Sequence, residues 1–187
     1  KLEMNGPAVS SGMGTCGLVG PIGVITGWSE TLIGDGNLDQ ETQRGMKIIL
    51  DGVFNHCGSF NKWMDKERIY EGTERYQKGA FVSADSPYSS FFKFRENWPS
   101  RWPYNESYEG WWGHDTLPKL NYEADSKLEE YILNIAKKWV SEPFNVDGWR
   151  LDVAADLGHT NEYNHYFWKK FRQAVKEANP NALILAE

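Results

Sequence analysis

Two acidic residues and one arginine lie in or beside the most apolar stretches of this sequence. Arg150 and Asp152 belong to the run from Val146 to Ala154, whose only other charged residue is Asp147. A run this short and this apolar is typical of a strand buried in a parallel sheet. Because side chains alternate along a strand, Arg150 and Asp152 share a face, where the guanidinium would hold the carboxylate ionised. An ion pair that only shapes the core fits this strand equally well.

A second acidic residue, Glu187, follows the apolar run 182–186, and a helical pattern separates this run from the strand that carries Asp152. Neighbouring strands lie about 4.8 Å apart, so the two carboxyl groups could stand about 5–5.5 Å apart, as in retaining glycosidases. The apolar strand before Glu187 favours a neutral carboxyl suited to a general acid. The competing interpretation is that Glu187 has no fixed environment. We interpret Asp147 as structural. Asp156, four residues beyond Asp152, fits either the lining of a substrate subsite or a solvated loop carboxylate, and we favour the latter.

The elements that must position these groups follow a regular order from residue 46 onward. A buried strand over 46–54 carries Asp51 and ends at Asn55-His56, and a long insertion follows over 58–122. A helix with a predicted capping box at Ser126 and Glu129, the strand 146–154, a second helix ending before Pro180 and the strand 182–186 complete the chain. This order predicts a parallel α/β architecture. Side chains at the carboxyl ends of such strands face the active site.

The insertion is rich in aromatic residues, and we expect most of its rings to form a small core of their own. Trp111 and Trp112, flanked by glycines, are the pair most expected to be exposed, and exposed rings stack well on sugars. Residues 1–44 contain many glycines and no sustained amphipathic period, which predicts loop. Cys16 and Cys57 are expected to be free thiols, because their number and spacing match no disulfide or metal framework.

The composition excludes several classes of partner. A net charge of −6 without basic clusters argues against nucleic acid, and no apolar run approaches the roughly 20 residues of a membrane span. The compartment is not encoded in a recognisable signal, and a cytoplasmic location is slightly favoured over secretion.

Four motifs occur in order along the chain: Asp51–His56 (DGVFNH), Leu117–Asn121 (LPKLN), Gly148–Asp152 (GWRLD) and the strand ending at Glu187. Over residues 45–187 the chain resembles the α-amylase family, glycoside hydrolase family 13, and within it the neopullulanase, cyclomaltodextrinase and amylopullulanase branches. The resemblance implies part of a (β/α)8 TIM barrel. Residues 45–57 would hold its third strand, 58–122 the inserted domain B, and 123–187 the third helix to the fifth strand, with 1–44 unassigned.

The resemblance also implies roles for single residues. Asp152 matches the nucleophile, Glu187 the general acid/base and Arg150 the arginine that supports the nucleophile. His56 matches the histidine at the cleavage subsite, and Asp51 an aspartate tied to the arginine. Two further positions match substrate contacts or a metal ligand: Asn121 closes domain B near the site, and Asn55 matches a calcium-ligating position in many α-amylases. Calcium is less regular in this branch, so no cofactor is predicted.

The implied activity is retaining hydrolysis of α-1,4 glucosidic bonds in maltodextrin, cyclodextrin or pullulan, with α-1,6 bonds as an open alternative. Two alternatives stay open: a 4-α-glucanotransferase, and an inactive family member that binds glucan. A complete barrel needs about 250 residues, and the motif Asn-His-Asp with the family's third essential carboxylate is not found. We therefore expect a fragment with an open three-stranded sheet and no hydrolysis by itself. The whole enzyme could be a homodimer.

Overall fold

The computed structural model describes residues 47–70, 76–95 and 108–187, together with the backbone of two short strands earlier in the chain. Its strands are β1 (Gly17–Val19), β2 (Ile22–Ile25), β3 (Lys47–Gly52), β4 (Gly148–Leu151) and β5 (Leu183–Ala186). Its α-helices are α1 (Ser126–Val140) and α2 (Asn161–Ala178). Short 3₁₀ helices lie at Ser89–Phe91, Trp111–Gly113, Tyr122–Ala124 and Ala154–Asp156.

The strands form one sheet in chain order, in which β1 and β2 are antiparallel and β2 to β5 are parallel. The register places Asp51 of β3 beside Arg150 of β4, and Arg150 beside Leu185 of β5. The predicted parallel arrangement of β3, β4 and β5 is therefore confirmed. All three are shorter than the predicted ranges 46–54, 146–154 and 182–186.

Two expectations about the sheet were wrong. Loop was predicted throughout residues 1–44, whereas β1 and β2 extend the sheet to five strands. The runs that form them are three and four residues long, too short to show a period in the sequence. The remainder of 1–44, including Cys16, lies outside the described residues. The strand β5 was predicted to be buried, but Leu183 and Leu185 are exposed. They alternate with the half-buried Ile184, so β5 is covered on one face only.

The helices α1 and α2 pack against each other and meet the sheet at Trp149 of β4. Trp149 is fully buried, donates its indole N–H to the Ala136 carbonyl of α1 at 3.1 Å and lies against Phe171 of α2. The apolar faces predicted from helical spacing are buried as expected, at Leu128, Ile132, Ile135 and Trp139 of α1 and Phe167, Phe171 and Val175 of α2. Burying each large side chain contributes about 1.5–3 kcal/mol, which anchors both helices to the sheet.

The helix α1 begins one residue earlier than the predicted capping box implies. Asp125 is the N-cap, and its carboxylate accepts the backbone N–H of Lys127 at 2.8 Å. Aspartate and serine are both favoured caps, so the sequence alone did not distinguish Asp125 from Ser126. Glu129, expected to complete the box, accepts the Tyr163 hydroxyl of α2 at 2.7 Å.

The described parts of the insertion pack through their aromatic rings, as predicted. Trp63 and Phe91 lie 5.2 Å apart between ring centroids, and Trp63 lies equally close to Tyr131 of α1. The aromatic core of the insertion is thus continuous with the helical layer. Its last residues return along the end of β3, where the N–H of Cys57 donates to Pro118 at 3.0 Å. No helix in the described part of the chain is long and apolar enough to cross a membrane.

Candidate active site

The carboxyl ends of β3, β4 and β5 bring three carboxylates around one guanidinium, which we call the Arg150 hub. Arg150 Nη1 donates to Asp51 Oδ1 at 2.8 Å and to Asp152 Oδ1 at 2.6 Å, and Nη2 contacts Glu187 Oε2. The Arg150, Asp51 and Asp152 side chains are 20%, 14% and 22% exposed, and that of Glu187 is 60% exposed. Asp152 and Glu187, predicted as a pair, are thus held by neighbouring nitrogens of one side chain.

The backbone explains how these side chains converge. The parallel ladder continues past the strand ends, because Asp152 N–H donates to Gly52 and Glu187 N–H to Leu151, both at 3.1 Å. Directly after Asp152, Val153 adopts φ 42° and ψ 47°, a left-handed conformation. For a β-branched residue this costs on the order of 1–3 kcal/mol, and such strain clusters at functional sites. No sequence pattern predicted it.

The hub combines one fixed positive charge with three carboxylates. Burial raises the pKa of Asp51 against the opposing effect of Arg150, and the charges of Asp152 and Glu187 raise it further. Burial alone would lower the pKa of Arg150, but its hydrogen bonds with Asp51 and Asp152 outweigh this effect and raise it. The guanidinium therefore stays charged, and the excess of carboxylates suits a transition state that develops positive charge on a sugar.

His56 lies at the end of β3 with 5% of its surface exposed. Burial lowers the pKa of the imidazole, and the charge of Asp152 offsets part of this effect. Its Nδ1 lies 3.2 Å from the amide nitrogen of Asn55. An amide NH₂ only donates, so Nδ1 is the acceptor and the proton of the neutral ring is on Nε2. His56 is therefore a neutral imidazole whose Nε2–H has no hydrogen-bond partner among the described residues.

One indole from the insertion covers His56. The rings of Trp111 and His56 are nearly parallel, at 11°, with centroids 5.1 Å apart. Trp111 Nε1 donates to Asp156 Oδ2 at 2.7 Å, and Asp156 lies in the 3₁₀ helix that follows β4. The interpretation of Asp156 as a solvated loop carboxylate was wrong, since it is half-buried and hydrogen-bonded. Its partner is 45 residues away, so the sequence around Asp156 gives no sign of the contact.

The family model described as alpha amylase, catalytic domain, matches residues 36–187. The chain belongs to the α-amylase family. The catalytic domain of this family is a (β/α)8 barrel, as predicted, and β3 to β5 with α1 and α2 lie within the matched residues.

Relatives of known name support this membership. The chain is 36% identical over 150 residues to a cyclomaltodextrinase of Geobacillus thermopakistaniensis. It is 37% identical over 151 residues to an intracellular maltogenic amylase of Bacillus subtilis. These matches cover 78% and 80% of this chain but 21% of each relative. The chain thus spans about a fifth of the length of the curated relatives it matches.

Solved structures of the same fold include a pullulan hydrolase and a debranching enzyme. The type III pullulan hydrolase from Thermococcus kodakarensis matches with a TM-score of 0.60 and 32% identity, over 80% of this chain and 23% of its own. The debranching enzyme from Nostoc punctiforme matches with a TM-score of 0.60 and 34% identity, over 80% of this chain and 27% of its own.

Two further predicted site residues of this α-amylase family chain, Trp112 and Asn121, lie in the insertion. Trp112 is 80% exposed, as expected, whereas its neighbour Trp111 is half-buried. Trp112 holds a left-handed backbone, with φ 51° and ψ 24°. Asn121 is half-buried where the insertion ends, and its N–H donates to Phe91 at 2.8 Å. No hydrogen bond of the described residues joins Asn121 to the hub. The apolar surroundings expected for Glu187 are absent, because its exposed carboxylate contacts Arg150.

A histidine that sequence reasoning missed ties the insertion to the turn before α2. His159 Nδ1 lies 2.9 Å from Glu123 Oε2, and Nε2 lies 3.1 Å from Glu109 Oε2 in the insertion. Burial alone would raise the pKa of Glu123, but hydrogen bonds from the ring and backbone N–H of His159 outweigh this and lower it. The turn after β4 therefore holds the insertion at two points, through His159 and through Asp156.

Among the described residues, no three His, Cys, Asp or Glu side chains form a group that could hold a metal ion. The Oδ1 atom of Asn55 is buried and has no hydrogen-bond partner in the described part of the chain. It would supply one of the six to eight oxygens that calcium takes, so these residues alone do not make a calcium site. Cys57 is a buried free thiol, and burial raises its pKa.

Proposed function

We propose that this chain carries the nucleophile and the general acid/base of a retaining α-glucan hydrolase, which cleaves α-1,4 bonds in maltodextrin, cyclodextrin or pullulan, with cleavage of α-1,6 bonds left open. The observation that carries the proposal is the contact of both Asp152 and Glu187 with Arg150 at the carboxyl ends of neighbouring parallel strands. Active sites of (β/α)8 barrels lie at this end. Membership of the α-amylase family and the names of the relatives support the substrate class.

In the proposed reaction Asp152 attacks the anomeric carbon, and Glu187 gives its proton to the departing glycosidic oxygen. The resulting glucosyl ester on Asp152 is hydrolysed by a water molecule whose proton Glu187 accepts, so the anomeric configuration is retained. Arg150 holds Asp152 in place through a hydrogen bond, and Asp51 anchors Arg150. Glu187 has to leave Arg150 and carry a proton before the first step, and its 60% exposure leaves it room to move.

Three further residues bind the glucan in this proposal. His56 directs its Nε2–H to a hydroxyl of the sugar at the cleavage point, because its other nitrogen is already engaged by Asn55. Trp112 offers an exposed ring on which a second sugar stacks. Asn121 closes the insertion beside the bound chain. The two carboxylates perform the chemistry without a cofactor.

The roles of the two carboxylates are tested by azide rescue in the natural protein that contains this chain. With α-glucosyl fluoride as substrate, Asp152→Gly plus azide should yield the β-glucosyl azide, because azide replaces the nucleophile in a single inversion. Glu187→Ala plus azide should yield the α-glucosyl azide, because azide attacks the glucosyl ester. Asp147→Asn is the matched control, since Asp147 pairs with Lys47 at the opposite end of β4, and its activity should stay near that of the wild type. The same azide anomer from both variants would contradict the assignment.

Products from maltohexaose separate hydrolysis from transfer. Release of reducing ends in step with substrate loss supports the hydrolase. Redistribution of chain lengths without new reducing ends supports the glucanotransferase. Binding without either product, in a protein that retains both carboxylates, would favour the inactive glucan-binding alternative.

A further inference from the structure

We propose that Trp111 and Asp156 are a positioning pair that fixes the imidazole of His56 toward the sugar at the cleavage point, with Asp156 acting through Trp111. The inference rests on the proposed function, because it assigns a purpose to the orientation of His56. The pair brings together three separate parts of the chain. His56 follows β3, Trp111 belongs to the insertion, and Asp156 lies in the 3₁₀ helix after β4.

The imidazole is constrained in two independent ways. The Trp111 ring lies nearly parallel to it at a centroid distance of 5.1 Å and covers one of its faces, which fixes the ring plane. The Asn55 amide at 3.2 Å from Nδ1 fixes the rotation within that plane. Together, the two contacts determine the direction in which Nε2–H points. Loss of the stacking partner would leave the plane of the ring without this restraint.

Trp111 is itself held from two sides. Its backbone N–H donates to the Leu117 carbonyl at 2.9 Å, which ties the indole to the segment that returns along β3. Its indole N–H donates to the Asp156 carboxylate at 2.7 Å, a short bond assisted by the charge of the acceptor. The half-buried carboxylate therefore controls where the indole lies. Asp156 is four residues beyond Asp152, so the turn that carries the proposed nucleophile also carries this support.

The reaction therefore has a hydrogen-bond donor, the Nε2–H of His56, whose direction is fixed before the sugar binds. A neutral imidazole that needs no reorientation can bond the sugar hydroxyl in the transition state without losing alignment, and misplacement by about 1 Å can cost roughly 100-fold in rate. We therefore expect removal of the support to lower kcat more than it raises KM. Trp111→Phe keeps a stacking ring but loses the donor to Asp156, and Asp156→Asn keeps the shape but loses the charge.

The test is a mutant cycle with His56 in the natural protein that contains this chain, assayed on maltohexaose. In the His56 background, Trp111→Phe and Asp156→Asn should each lower kcat by about 10- to 100-fold. In a His56→Gln background, each should change kcat by less than about twofold, because nothing remains to be positioned. Equal losses in both backgrounds would overturn the proposal, since a purely structural role does not depend on His56.

Trp168→Phe is the matched control. Trp168 lies on α2, and its indole N–H donates to the Ala154 carbonyl at 2.8 Å. Ala154 belongs to the same 3₁₀ helix as Asp156. Any effect of Trp168→Phe should be the same in both backgrounds. Recovery of most of kcat by Asp156→Glu, which restores a carboxylate, would support the assignment further.

A readout that needs no turnover distinguishes this inference from the proposed function. In protein labelled with ¹⁵N-histidine, His56 should show one neutral tautomer with the proton on Nε2, and Asp156→Asn should shift and broaden the ring signals of His56, because the stacked Trp111 ring is no longer held in place. An unchanged His56 signal would overturn the positioning role even in an active enzyme. A shifted signal in a protein without Asp152-dependent activity would leave the positioning role standing and contradict the proposed function.

Discussion

Replacing Arg150 with leucine removes the only cation of the hub and leaves Asp51 and Asp152 unpaired at 14% and 22% exposure. Two unit charges about 4 Å apart interact with about 4 kcal/mol at an effective dielectric constant of 20. Breaking a buried pair by removing one partner costs about 3–5 kcal/mol. Because the hub is partly solvated, we expect Arg150→Leu to lower the free energy of unfolding by about 3 kcal/mol.

The cause of that loss is tested by a second substitution. If unpaired carboxylates are responsible, Asp51→Asn in the Arg150→Leu background should recover about 1–2 kcal/mol, although the same change in the wild type removes a favourable pair. Arg150→Leu should also be relatively more stable at pH 5 than at pH 7. Burial already raises the pKa of Asp51, and loss of the opposing guanidinium raises it further, so the unpaired group is neutralised as the pH falls.

The assay is urea unfolding of the natural protein that contains this chain, followed by intrinsic tryptophan fluorescence at pH 5 and pH 7. Arg172→Leu is the matched control, because Arg172 is exposed on α2, and it should change stability by less than about 0.5 kcal/mol. A loss below about 1 kcal/mol for Arg150→Leu, or no recovery on adding Asp51→Asn, would refute the electrostatic account of the hub.

Three further predictions concern single positions. Trp112→Gly should weaken binding of maltohexaose about fivefold to tenfold by calorimetry, through loss of a stacking ring, and unchanged affinity would contradict the platform role. The same change should raise the free energy of unfolding by about 1 kcal/mol by relieving the left-handed backbone. Burial lowers the pKa of His56 in the folded state, so the wild type should lose stability as the pH falls below about 6.5, and His56→Gln should flatten that slope in urea unfolding. An unchanged slope would mean that His56 titrates normally. Asp125→Ala should lower the free energy of unfolding by about 1 kcal/mol, and Ser126→Ala should lower it by less than about 0.5 kcal/mol. A larger loss for Ser126→Ala would instead identify Ser126, the residue predicted from sequence, as the N-cap.

Local patterns were sufficient for the parallel strands and both helices. The apolar runs around Asp51 and Arg150 are short and continuous, and their alternation with helical periods has one common solution, a parallel sheet covered by helices. The tie between Asp51 and Arg150 was expected and is present at 2.8 Å. These features depend on residues that are close in sequence or on strict register, which is why they could be predicted.

Features that depend on distant contacts could not be predicted in the same way. The bond from Trp111 to Asp156 and the placement of His159 between Glu109 and Glu123 join the insertion to the turn after β4. Neither partner has a local pattern that distinguishes it from a solvated residue. The exposure of Glu187 has a similar origin, because an apolar strand predicts apolar surroundings only if both of its faces are covered.

The central claim is that Asp152 forms the covalent bond to the sugar, and trapping of the intermediate tests it most directly. The natural protein that contains this chain is incubated with 5-fluoro-α-glucosyl fluoride, digested and analysed by tandem mass spectrometry. The account predicts one glycosylated peptide, with the ester on Asp152, and no label in Asp152→Asn. A label on another residue, or turnover of maltohexaose by Asp152→Asn at the wild-type rate, would contradict it.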